Sequence, residues 1–164
     1  MRDLKERTCC FSGHRIVPDE QKPVLEKKLD DVIAGLRKEG VDRFVCGGAI
    51  GFDTLAAQAV LRAKKTDPSL ILILALPCPD QAEKWSSKDR MIYLNTVRAA
   101  DVVHIVSPEY SSGCMHKRNR FMVGMSSHCV YYLTKNLGGT YYTVQCAVKA
   151  GLKMHPLAEN EDRT

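Results

Sequence analysis

The amino-acid sequence predicts an α/β protein in three layers, a mostly parallel sheet with helices on both faces. Three observations carry that expectation. Short apolar runs alternate with stretches of helical periodicity from one end of the chain to the other. No two neighbouring runs are joined by a two-residue hairpin turn, so the connections are helical crossovers, which join parallel strands. One run, residues 70–76, is apolar at every position, the pattern of a strand covered on both faces. The outline is one domain over residues 1–157 and a polar tail over 158–164.

Each element follows from local pattern. Residues 8–12 form a first strand, broken by Gly13. Residues 18–21 open a helix whose stripe of Leu25, Leu29, Val32, Ile33 and Leu36 keeps helical spacing. Gly40 stands where a helix C-cap favours glycine. Residues 43–46 are a second strand, followed by Gly47-Gly48-Ala49-Ile50-Gly51. A helix over 53–65 turns Leu55, Ala56, Ala59, Val60 and Ala63 inward. The run at 70–76 is the expected central strand. A polar stretch over 80–89, which holds the single tryptophan, Trp85, leads into a helix reaching Ala100. Residues 102–106 are a strand, 107–115 a turn-rich loop, 116–126 a helix and 129–133 a strand. Gly138-Gly139 makes a tight turn, 140–150 the last long helix, and 153–155 a short closing strand. The polar tail from Ala158 is expected to be loose. His104, inside an apolar strand, is expected as a satisfied core histidine.

Composition bounds the function. The chain has 164 residues, 45% apolar and 26% charged, which excludes a disordered polymer and suits one packed core. No apolar run approaches the roughly 20 residues of a membrane span. The charged N-terminal segment lacks the apolar stretch of a signal peptide. A cytoplasmic protein that meets no membrane is expected. Seven cysteines occur and none stands in a CxxC pair, so zinc-ribbon and thioredoxin-type chemistry lack their spacing. These thiols read as small core residues in a reducing compartment. Neither a metal nor a cofactor is expected. A net charge of +5 suits an anionic ligand but is too diffuse to specify nucleic acid.

The chemistry concentrates in loops that follow strands. Ser12-Gly13-His14-Arg15, Gly47-Gly48 with Gly51, and Gly138-Gly139-Thr140 are three glycine-bearing turns. Glycine lets backbone N–H groups approach an anion, and the next helix adds its positive end. Together they read as a phosphate cradle, although neither GxGxxG nor GxxxxGK[ST] occurs. Ser12 reads as a turn hydroxyl within that cradle. Asp53 is either a helix N-cap or the acceptor of a sugar hydroxyl. Met115-His116-Lys117-Arg118-Asn119-Arg120 crowds cations at a helix start, against the macrodipole. An anionic ligand would offset that repulsion, which makes Arg118 and Asn119 candidate ligand contacts. Trp85 either stacks on a base or covers the sheet edge. His14 either donates to a ligand oxygen or sits beside its turn.

These segments resemble the SLOG superfamily, and within it the YpsA/YoqJ-like branch. The resemblance rests on the three glycine turns, on Phe52-Asp53 and Arg118-Asn119-Arg120, and on Pro77-Cys78-Pro79, Gln81, Trp85 and Ala100-Asp101. It covers residues 8 to 155. It implies a Rossmann-like sheet binding a nucleotide or nucleotide-derived ligand, with a role in stress or cell-division regulation. A homo-oligomer is implied by analogy with relatives.

Two related families supply the alternatives. LONELY GUY enzymes cleave the N-glycosidic bond of a nucleoside monophosphate. Met115-His116-Lys117-Arg118 is similar to their MHxRK motif, but Asn119 replaces its lysine. Their PGGxGTxxE motif fits poorly, since Leu137 replaces the proline and Gln145 the glutamate. No Asp or Glu lies between Glu109 and Glu159, so the last helix holds no carboxylate for such a step. No catalytic residue is assigned on these grounds. Resemblance to DNA-processing protein A implies single-stranded DNA binding, which ranks below the nucleotide because basic residues are not interleaved with stacking aromatics.

Overall fold

The computed structural model describes residues 3–159 and 161. Strand β1 (Thr8–Gly13) leads through a 3-10 turn (Asp19–Gln21) into α1 (Lys22–Lys38), with Pro23 in its first turn. Then come β2 (Arg43–Cys46), α2 (Phe52–Thr66) and β3 (Ile71–Leu76). Helix α3 (Ser87–Ala99) is capped by Ser86, whose hydroxyl accepts from the Asp89 N–H. The chain continues through β4 (Val102–Ile105), α4 (Cys114–Gly124), β5 (His128–Tyr132), α5 (Gly138–Lys149) and β6 (Lys153–Pro156). No described helix is long and apolar enough to cross a membrane.

All the strands run parallel in the order β4-β3-β2-β1-β5-β6. The chain steps outward from β1 to β4, then returns to the far side of β1. Helices α1, α2 and α3 cover one face, α4 and α5 the other. Side chains alternate along β1 as a pleated strand demands. Cys9 and Phe11 enter the core beneath α1 and α2, where Leu25, Leu29, Ile33 and Leu36 bury the predicted stripe. Cys10 joins Val45, Ile73 and Cys129 beneath Met122 of α4 and Ala147 of α5. The cysteines are free, and all but the half-buried Cys146 are buried.

Several expectations need correction. Strand β3 stands next to the edge, and β1 and β2 occupy the middle; an all-apolar run reports cover on two faces and not a central place. Helix α4 begins at Cys114, two residues early, after Gly113 at φ +82°. Gly138 and Gly139 are the first residues of α5 and not a turn before it. His104 is exposed on the edge strand, its ring against Phe121 at a centroid distance of 5.3 Å. The tail is tied at two points: Ala158 packs on the core and the Glu161 N–H donates to the Thr134 carbonyl at 2.8 Å. Residues 160 and 162–164 of the tail lie outside the described ones.

Candidate functional site

Strands β1 and β5 are neighbours whose crossovers leave on opposite faces. Loops part at such a switch point and open a crevice at the carboxyl ends of the strands. A cleft of about 390 Å³ lies there. It gathers Ser12, Gly13, His14 and Arg15 from the end of β1 with Asp53 of α2, Arg118 and Asn119 of α4, and Gly138, Gly139 and Thr140 of α5. The other predicted residues are elsewhere. Gly48, Gly51 and Trp85 line a separate cleft of about 340 Å³ over α2, which shares Ala49 and Asp53 with the first. Gly47 lies under Arg118, where an added Cβ would come within 2.5 Å of Nη1.

The last helix meets the cleft with its positive end. Leu137 precedes α5 and offers no capping side chain, so the first-turn N–H groups keep their hydrogen-bonding capacity. Thr143 Oγ1 donates to the Gly139 carbonyl at 2.8 Å, and Thr140 is buried at the cleft wall. A Cβ on Gly139 would approach the Asn119 amide nitrogen to 3.8 Å.

Arg118 is a buried guanidinium. Its Nη1 donates to the carbonyls of Gly47 and, at 3.3 Å, of Ala75, while Nε donates to Asn119 Oδ1 at 2.8 Å. It therefore fastens the β2–α2 loop to the end of β3 as well as facing the cleft. Burial lowers its pKa from the ordinary arginine value, a shift that Asp53 opposes and Arg15 reinforces. Asp53 is not an N-cap: Gly51 holds that position, and the Asp53 carboxylate accepts from the Ala49 N–H at 3.1 Å. Burial pushes its pKa up, against Arg118, the Ala49 amide and Arg15. Arg15 is exposed, with Nη2 3.9 Å from the Met115 sulfur. His14 Nε2 accepts from the Thr134 N–H at 3.0 Å. That bond places the ring proton of the neutral form on Nδ1, and burial lowers the His14 pKa.

Asp53 is the carboxylate of this lining, set against two guanidinium groups and a helix N-terminus. Such a cleft attracts anions. Gln145 is exposed and does not line it, and Asp101 sits at the opposite end of the sheet, bonded to the Leu72 N–H and Lys64. Lys117 and Arg120 point outward, and Arg120 donates to the Tyr142 hydroxyl at 2.9 Å. Met115, His116 and Leu137 line the cleft without having been singled out as ligand contacts. Met115 and His116 begin the basic run, the one signal that marked them; Leu137 carries none.

Comparison with known proteins agrees with this architecture. The chain is 29% identical over 157 residues to the uncharacterized SPbeta prophage-derived protein YoqJ of Bacillus subtilis strain 168, covering 83% of this chain and 92% of that one. It is 27% identical to a UPF0398 protein of Halalkalibacterium halodurans, covering 76% of this chain and 68% of the relative. Among solved structures, DNA processing protein A from Streptococcus pneumoniae superposes with a TM-score of 0.65 at 19% identity. That match covers 93% of this chain, which spans 50% of the pneumococcal protein. The Helicobacter pylori protein, whose structure describes a single-stranded DNA binding mode, gives 0.67 at 17% identity, covering 98% of this chain and 69% of that one. These two likenesses establish a shared fold. The sequence profile of the YspA SLOG family matches residues 16–156, and the chain belongs to that family.

Proposed function

We propose that the chain binds a nucleotide or nucleotide-derived small molecule, with its phosphate in the cleft between β1 and β5. The observation that carries this reading is the meeting of Arg15, Arg118 and the uncapped start of α5 around one cavity. Each contributes positive potential where the sheet opens. Gly138 and Gly139 leave the helix N–H groups unobstructed, and Asn119 adds an amide donor. Gln145, where the LONELY GUY motif has its glutamate, is exposed and cannot act as a base, which counts against that cleavage mechanism.

A nucleotide panel in a thermal-unfolding assay tests the proposal. A ligand at one hundred times its dissociation constant raises Tm by roughly 5–10 °C for a chain of this size. Arg15→Ala should abolish most of that rise while leaving the unliganded Tm unchanged. Free base released by wild type would replace binding with glycosidic cleavage. The fold shared with a single-strand-binding protein supports strand binding as the second reading. It predicts affinity that grows with oligonucleotide length and falls steeply with salt.

A further inference from the structure

A third cleft opens beside the anion cleft, on the other side of Met115. It has a volume of about 470 Å³ and is lined by Trp85, Tyr110 and Met115 together with Asp80, Gln81, Glu83 and Lys84. Met115 lines both cavities, and its sulfur lies 3.9 Å from Arg15 Nη2 and 3.8 Å from Arg118 Nη2. One side chain thus divides a cationic cleft from an aromatic one.

Two features of this cleft point to a flat ligand. Tyr110 is 68% exposed on the loop before α4, where burial gives no reason for an aromatic ring. Trp85 is half-buried and held in place by Tyr93, with ring centroids 5.3 Å apart and planes at 78°. Pyrimidine and purine rings stack on aromatic faces whatever their sequence.

We infer that this cleft receives the ring of the ligand whose phosphate lies beyond Met115, and that the ring is a nucleobase. The inference rests on the nucleotide reading above. The ring lies against Trp85 and Tyr110.

Calorimetric titration of the full chain with AMP, GMP, CMP, UMP and ribose 5-phosphate tests this, with Tyr110→Ala and Arg15→Ala as variants. The best of the four nucleotides should bind more tightly than ribose 5-phosphate. Tyr110→Ala should weaken it at least about fivefold, the lower bound for one stacked base, and leave ribose 5-phosphate unchanged. Because Tyr110 is exposed, the variant keeps the fold, which its urea midpoint verifies. If ribose 5-phosphate binds as tightly as every nucleotide and Tyr110→Ala changes none, the ring cleft is wrong and the phosphate cleft stands. If wild type binds none of these ligands, or binds oligonucleotides far more tightly in proportion to length, the nucleotide reading falls with it.

Discussion

The guanidinium of Arg118 holds the Gly47 and Ala75 carbonyls together and stands near the buried Asp53 carboxylate. Truncation would leave two buried carbonyls short of a donor and the carboxylate short of a counter-charge. Arg118→Ala should therefore lower unfolding stability by roughly 2–4 kcal/mol in urea, the order expected when two buried acceptors lose their donor. Arg15→Ala, at an exposed position, should change it by less than about 0.5 kcal/mol. Equal losses for the two would refute the latch. Asp53 gives a second test at this scale. Its raised pKa means that the folded chain holds the proton more readily than the unfolded one. That stabilising contribution is complete below about pH 4 and is lost as pH rises through the folded value. Asp53→Asn keeps an acceptor for the Ala49 N–H and never ionises. The stability of the variant relative to wild type should climb as pH rises from about 4 to 7; a flat difference would remove the buried carboxylate's cost. Sequence alone brought both residues forward by type, but not the burial that gives each its second role. Burial depends on α2 and α4 meeting at β3, a long-range event. His104 shows the converse: an apolar neighbourhood in sequence became an exposed edge once β4 had no partner beyond it.

Between elements, β5 and β6 are joined by more than their ladder. His128 Nδ1 and His155 Nε2 lie 3.0 Å apart, with rings stacked at 26°. One nitrogen must donate and the other accept, so the contact requires at least one neutral ring. Burial lowers the pKa of both histidines; the neighbouring imidazole depresses His128 further, Lys153 depresses both and Glu39 opposes. A lowered basic group binds fewer protons folded than unfolded, so stability falls as pH drops below about 6.5. His155→Gln should make that fall shallower, read as the urea midpoint between pH 5 and 7.5, with His14 and His128 supplying the remainder. An unchanged slope would refute coupling through the pair. Helix and strand types were legible along nearly the whole chain, because periodicity is a local property. Helix starts were less so. Gly113 and Gly138 look like turn residues in sequence, yet one caps α4 in a left-handed conformation and the other begins α5.

For the whole molecule, alternating strands and helices predicted the parallel sheet, whereas strand order was not written in any one segment. The three glycine turns share a chemistry and therefore read as one cradle. In the fold, the first and third border the anion cleft, while Gly48 and Gly51 of the second line the cleft over α2. The order of the sheet also exposes two edges of different character. Strand β6 carries Lys153 and Pro156, residues that discourage a further strand from adding. Strand β4 reads Val102-Val103-His104-Ile105, with Val103 39% and Ile105 52% exposed. Parallel sheets rarely leave such residues in water, and an apolar edge invites pairing with another chain. A charge at the edge should therefore suppress association without disturbing the core. Ile105→Lys is expected to reduce light scattering on heating concentrated protein and to shift stability in urea by less than about 0.5 kcal/mol. If wild type and variant scatter alike across a tenfold range of concentration, the exposed side chains of β4 are not what brings chains together, and self-association must be sought at another surface.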